Sequence, residues 1–241
     1  MSALARFGAF LGFLLGFVIG ACQSPQSPST EVSVGALTAK TVALVTDDLS
    51  GNTRAYCSGV WASEDAILTA NHCTEDAFPG DAFYYVVPQD VAAAFQRNEC
   101  DAACPALDEP QGRKAILVAR DEAHDLALLH VIGSAPVHGV AKVTPEGPYV
   151  GEFAQSMGHP KGLWWSYSSG VISSIRQLDV LGRNLKWVQS TAPISGGNSG
   201  GGLYNAQGFL IGLCHATINS GQNLNFFIHP DYIRPFLRVN L

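Results

Sequence analysis

Beyond residue 40 the apolar residues fall into short runs separated by Gly, Pro, Asn, Asp and Ser, with little helical periodicity before the end of the chain. Runs of that kind, bounded by turn residues, predict β-strands. They lie over 41–46, 58–61, 66–69, 83–87, 115–120, 126–131, 151–158, 165–176, 186–190, 208–214 and 225–228. Many short strands without intervening helices indicate a sandwich or barrel and argue against a parallel βαβ sheet, so the expected class is all-β. Two helical exceptions are expected. A turn after Ala70 carries His72, and a terminal helix covers 230–239, where Pro230 suits the first turn and Asp231 complements the helix dipole. Residues 74–114 are the least patterned stretch and read as a surface excursion with room for a short helix over 89–97.

The start of the chain follows a different pattern. Arg6 precedes a glycine-punctuated apolar run over 7–19, which ends in Gly20, Ala21 and Cys22. That run is shorter than the roughly 20 apolar residues of a membrane-spanning helix and ends in small residues, so residues 1–21 read as an export signal. Ile19-Gly20-Ala21-Cys22 resembles the bacterial lipobox, which implies lipidation of Cys22 and a membrane anchor. Gln23, in place of the aspartate associated with inner-membrane retention, points to the outer membrane. An ordinary secretory signal cleaved after Ala21 is the alternative, and either one implies export. Over 22–38 the composition turns to Ser, Pro, Gln, Thr and Gly, as expected of a flexible tether. The folded unit is then expected over 39–241, long enough for a sizeable core.

Composition narrows the partners. Charged residues make up 14% of the 241 against 47% hydrophobic, and the net charge is −6, so no basic stripe is present to track phosphates and no nucleic acid is expected. Apart from Cys22 there are Cys57, Cys73, Cys100, Cys104 and Cys214, an odd set in a compartment where disulfides persist. A bridge between Cys57 and Cys73 would close a loop around His72 and, on the chain-entropy argument, stabilise by about 3 kcal/mol. Cys100 and Cys104 suit a small local ring, which leaves Cys214, in the apolar run 209–214, as a buried free thiol. Without paired Cys-x-x-Cys clusters a zinc site is set aside, and no cofactor is expected.

Three segments carry candidate chemistry: Leu68-Thr69-Ala70-Asn71-His72-Cys73, His124-Asp125-Leu126-Ala127-Leu128-Leu129 and Gly196-Gly197-Asn198-Ser199-Gly200-Gly201. A serine hydroxyl is a poor nucleophile until a base takes its proton, and the oxyanion it creates needs backbone donors. The glycine-rich segment offers Ser199 with the amides of Gly197 and Ser199. His72, delivered inward by an apolar strand, suits the base. Asp125, at the mouth of another apolar strand, needs a strong partner, and an imidazole N–H is one. The roles are base, orienter and nucleophile. The other histidines, His124, His130, His138, His159 and His229, read as surface or core residues, and Trp164 and Trp165 as packing.

The blocks Thr69-Ala70-Asn71-His72-Cys73, Asp125-Leu126-Ala127-Leu128, Met157-Gly158-His159-Pro160 with Ser169-Gly170-Val171-Ile172-Ser173, 189–203, and Leu210-Ile211-Gly212 through Phe227-Ile228 together resemble a chymotrypsin-fold serine protease. The likeness runs over about 40–238 and is strongest to the bacterial periplasmic branch that holds the high-temperature-requirement proteases and the glutamyl endopeptidases. It implies two antiparallel six-stranded barrels, divided near 140–150, with the triad between them and Cys57 bridged to Cys73. It also implies a serine endopeptidase with polypeptide substrates. Asn198 stands where zymogen-activated relatives carry aspartate, so no new N-terminus is expected to switch the enzyme on. The resemblance puts Pro193 and Ile194 at the base of the specificity pocket, His215, Ala216 and Thr217 on one wall and Asn225 on the other. No acid falls at that base, which favours small or medium apolar side chains, and His215 raises the alternative of glutamate. With only a terminal helix after Ile228, no appended peptide-binding domain is expected. Two other functions share this scaffold: a catalytically silent binding or adhesion protein, and an esterase or peptidase acting on cell-envelope substrates.

Overall fold

Strand alternation explains why the central runs are apolar at every position. In the computed structural model, which describes residues 31–47, 53–75, 80–87, 113–134, 137, 139–218 and 220–241, the strand Leu126–Val131 sends Leu126 and Leu128 into one buried cluster and Ala127 and Leu129 into another. Successive side chains of a strand point to opposite faces, so a strand walled in on both sides must be apolar throughout. One wall is the interior of the strand's own barrel. The other is a second barrel.

The first barrel closes in the order β1-β2-β3-β6-β5-β4, with β1 Thr41–Asp47, β2 Thr53–Trp61, β3 Ala66–Ala70, β4 Ala82–Val86, β5 Arg113–Asp121 and β6 Leu126–Val131. The second closes in the order β10-β11-β12-β9-β8-β7, with β7 Phe153–Gly158, β8 Ser166–Val180, β9 Arg183–Ser190, β10 Gly202–Tyr204, β11 Leu210–Thr217 and β12 Asn225–Ile228. Pairing is antiparallel within both. The expected all-β class with two six-stranded barrels is therefore what the chain adopts. The largest core cluster joins them, bringing Leu68, Leu126 and Leu128 of the first against Met157, Leu213, Phe226 and Ile228 of the second.

Two features escaped the apolar pattern. β10 is short and emerges from the glycine-rich segment, and β8 continues through the polar, exposed 176–179 because its hairpin with β9 runs to the turn at Leu181 and Gly182. A bulge in β11, between Cys214 and Ala216, leaves His215 without a partner residue on β12.

The described end of the segment expected as a tether is packed, which corrects that expectation for residues 31–38. Val34–Ala39 form helix α1, capped by the Ser33 hydroxyl, and Leu37 is fully buried in the shared core. The Val32 amide donates to Ala206 O at 2.7 Å, and Lys40 Nζ donates to Gly208 O at 2.7 Å, so the segment is pinned to the second barrel. Composition counted few apolar groups; a single buried leucine, worth about 2 kcal/mol, with a capped turn is enough to anchor it. Helix α2, Pro230–Asn240, is capped by His229 and buries Ile233 and Phe236. The expected signal over 1–21, Cys22, the rest of the tether, Cys100, Cys104 and the short helix over 89–97 lie outside the described residues.

Candidate active site

Strand β3 is buried along its whole length and passes directly into a 3-10 turn, Asn71–Thr74, that carries His72. The turn is held from two sides. Cys73 is bridged to Cys57 of β2, and the Asn71 amide donates to the Asp125 carbonyl at 3.0 Å. Asp125, just before β6, has φ +59°, a left-handed backbone that few residue types other than glycine, asparagine and aspartate adopt readily. Its Oδ1 accepts from the His72 amide at 2.9 Å and its Oδ2 from His72 Nδ1 at 2.8 Å. The carboxylate thus fixes both the backbone and the ring of His72. Burial pushes the Asp125 carboxyl up, but hydrogen bonds from His215 and His72, with the attraction of both rings, outweigh it and hold the group well below the usual carboxylate range.

His215, expected on a wall of the pocket, does line the cleft beside Ser199, but its ring turns inward, because Asp125 Oδ2 lies 2.6 Å from its Nδ1 and the indole of Trp187 stacks on it at 4.7 Å. The ring is 5% exposed, so it has no face to offer a glutamate side chain. What His215 presents outward is its backbone carbonyl, which accepts from Ser199 Oγ at 3.4 Å.

The loop between β9 and β10 bears Ser199, and two of its glycines are sterically required. At Gly197, φ +101°, a Cβ would lie 2.2 Å from the His159 carbonyl; at Gly200, φ +80°, it would lie 2.2 Å from Thr69 Oγ1. The loop reaches into the first barrel, where the Ser58 amide of β2 donates to Ser199 O at 2.8 Å. Ser58 Oγ donates to Gly197 O at 2.8 Å, accepts from the His159 amide at 3.1 Å and lies 2.9 Å from His159 Nδ1. With its proton on Gly197 O, Ser58 must receive that of His159 Nδ1. Burial pushes the His159 imidazole down to about 3, keeping it neutral. On the other side, the Lys161 amide donates to Gly196 O at 2.7 Å. The carbonyls of the loop are thereby drawn away from Ser199, while the amides of Gly197 and Ser199 have no acceptor among the described residues.

A cleft of about 370 Å³ opens beside Ser199, lined by Lys161, Ile194, Ser195, Gly196, Cys214, His215, Ala216 and Thr217. Of the residues expected there, Ile194, His215, Ala216 and Thr217 line it, whereas Pro193 and Asn225 do not. Pro193 faces a neighbouring depression with Ser166 and Tyr167, and Asn225 is buried, its Nδ2 donating to Ala192 O at 2.9 Å, where it secures the strand leading into the loop. Lys161 was missed because nothing in its local sequence marks it; so was Ser58. His159 sits in a block that carried the resemblance, yet its side chain had no visible partner in sequence. Trp165 packs as expected, stacking with Trp164 and donating to Thr41 O at 3.3 Å.

His72, Asp125 and His215 form the one grouping among the described residues with metal-ligand chemistry, their donor atoms lying within 4.8 Å of each other. Their N···O separations of 2.8 and 2.6 Å are those of hydrogen bonds, shorter than the about 3.3 Å that ligands keep around tetrahedral zinc.

Comparison with known proteins identifies the family and the fold. The trypsin-like peptidase domain matches residues 57–213. The chain is similar to the periplasmic pH-dependent serine endoprotease DegQ of Escherichia coli K12, with 30% identity over 125 residues, covering 52% of this chain and 28% of DegQ. It is also similar to a probable periplasmic serine protease do/HhoA-like of Haemophilus influenzae, with 29% identity over 177 residues, covering 71% of this chain and 33% of that protein. It thus spans about a third or less of the length of these two relatives. In fold it resembles the serine endoprotease of Yersinia pestis, with a TM-score of 0.62 at 21% identity, covering 86% of this chain and 66% of the other. A matched span that runs from Cys57 through His72, Asp125 and Ser199 to Leu213 makes this chain a member of the trypsin-like peptidase domain family.

Proposed function

We propose that the protein is a serine endopeptidase. One observation carries the reading: Asp125 grips the backbone and ring of His72 at 2.9 and 2.8 Å, while Ser199 sits on a cleft beside two unengaged amides. Because an ionised carboxylate only accepts, His72 holds its proton on Nδ1 and keeps the Nε2 lone pair for the nucleophile. In this reading the Ser199 hydroxyl turns from the His215 carbonyl to His72 Nε2 when substrate enters, a bond that commonly tightens only then. Ser199 Oγ adds to the substrate carbonyl as its proton passes to His72, and the oxyanion is received by the amides of Gly197 and Ser199. The C–N bond then breaks, His72 returns the proton to the leaving amine, and water hydrolyses the acyl-enzyme by the same steps. The preference for small or medium apolar side chains before the scissile bond rests on Ile194 and Ala216, which line the cleft, while the cation Lys161 there argues against Arg or Lys.

Labelling by a fluorophosphonate, followed by cleavage of peptides bearing Ala, Val, Glu or Arg before the scissile bond, tests this. Wild type should label and cleave after Ala and Val, and Ser199→Ala and His72→Ala should lose both activities. Wild-type protein that never labels, or labelling that survives Ser199→Ala, refutes it.

The apolar segment over 7–19 and Cys22 support export with a lipid anchor, facing the periplasm or carried on the outer membrane. The names of the similar periplasmic proteases point the same way as to export. Radiolabelled palmitate should enter the wild-type protein and be absent from Cys22→Ala; incorporation that persists in the variant removes the anchor.

A further inference from the structure

Asp125 serves two histidines through one oxygen. Oδ2 lies 2.8 Å from His72 Nδ1 and 2.6 Å from His215 Nδ1, the two rings meeting edge to face with centroids 5.5 Å apart. Since an ionised carboxylate can only accept, both Nδ1 atoms donate, and each ring carries its proton on the nitrogen facing Asp125. The remaining nitrogens differ. His72 is 30% exposed at the site, whereas His215 Nε2 is buried with no hydrogen-bond partner among the described residues, so His215 has nowhere to pass a proton and is not a rival base. The same residue touches the nucleophile, through its carbonyl 3.4 Å from Ser199 Oγ. The bulge in β11 makes both contacts compatible, because an unpaired residue can aim its ring at Asp125 while its carbonyl faces the cleft.

We propose that His215 is a positioning residue for the catalytic pair, a second imidazole donor that fixes the Asp125 carboxylate and shares its charge with His72. Resting as it does on the endopeptidase reading, it adds to the three-residue mechanism a consequence for pH. A carboxylate that already accepts from His215 divides its charge between two donors, and loss of one donor leaves that charge to the His72 ring alone. The other titratable or charged groups facing this pair are Arg183 of β9, whose Nη2 is 3.7 Å from Asp125 Oδ1, the Cys214 thiol of β11, and Lys161 across the cleft. None of them donates a hydrogen bond to Oδ2.

The test compares wild type with His215→Phe, which keeps a ring on Trp187 but no donor, and His215→Asn, whose amide nitrogen can stand near the Nδ1 position. Two readouts are taken: the second-order rate of fluorophosphonate labelling across pH, and the ring N–H resonances of the folded proteins. His215→Phe should label about 10-fold more slowly or worse, with the acid limb of its profile moved to higher pH. His215→Asn should recover to within a few-fold. In the spectra, wild type should show two protected ring N–H protons at Asp125, one of them lost in His215→Phe. A folded His215→Phe with wild-type rate and profile overturns the proposal, and so does a wild-type spectrum without the His215 proton. If wild type does not label while both protons are present, the hydrolytic reading fails and the positioning geometry stands.

Discussion

A proton added to His159 would place a charge in a site sealed from water, with Nε2 buried and unpartnered and Nδ1 committed to Ser58. Burial holds that imidazole down at about 3 against a usual 6.5, and burial likewise lowers His229 to about 4. The unfolded chain takes up these protons as pH falls through 6.5, whereas the folded chain resists until about 3 to 4, so stability is lost on acidification across that window. Asp125 adds to the loss below about 4, since its carboxyl is held low only in the folded state. The urea midpoint should therefore drop steadily from pH 7 to pH 4, and His159→Phe should show a shallower slope than wild type. An unchanged slope in that variant would assign the acid sensitivity elsewhere. Little of this was legible beforehand. His159 reads in sequence as an unremarkable histidine before a proline, because its partners Ser58 and Gly197 lie far away along the chain and meet it only after both barrels have closed.

Secondary-structure elements were far easier to read, and the reason lies in how each strand is covered. β3 and all of β6 but the exposed His130 are buried on both faces, so their sequences are apolar apart from Thr69 and His130 and their limits fall within a residue of the apolar runs. β8 is exposed along its far half, and there the pattern fades while the hydrogen-bonded hairpin goes on. The 3-10 turn bearing His72 was legible as a turn, but its restraints were only half visible. Cysteine spacing pointed to the bridge between Cys57 and Cys73, and residue types to the pairing of Asp125 with the His72 ring, whereas the bonds from the backbone amides of Asn71 and His72 to Asp125 had no sequence signal. The two restraints should be separable. Replacing both Cys57 and Cys73 by serine should cost about 3 kcal/mol of stability, read from denaturant unfolding, while the folded variant keeps its fluorophosphonate labelling through the Asp125 clamp. Loss of labelling in a variant still folded would show that the bridge, and not the aspartate, holds His72 in place.

For the whole molecule, the site is an interface property. His72 and Asp125 come from the first barrel, Ser199 and His215 from the second, and Ser58 crosses from one to the loop of the other that bears Ser199. The residues proposed as reactive could be picked out because that chemistry needs those types in glycine-rich or apolar surroundings. The lining of the cleft was readable only in part: Ile194, His215, Ala216 and Thr217 line it, whereas Pro193 and Asn225 share its strands and loops but face away from it. Cys214 lies one residue from this junction, buried between the second barrel's core and the cleft, with its thiol pushed up by burial and by the nearby Asp125 charge. A thiol so placed is chemically silent while the barrel is shut and becomes an ordinary reactive group once it opens. The protein thus carries its own clock for opening events. Alkylation by a maleimide, mapped to the Cys214 peptide by mass spectrometry, should be negligible in the native state and should accelerate in step with denaturant until it follows global unfolding. Rapid labelling of Cys214 in buffer alone would mean that the barrel behind the nucleophile breathes on the timescale of the reagent.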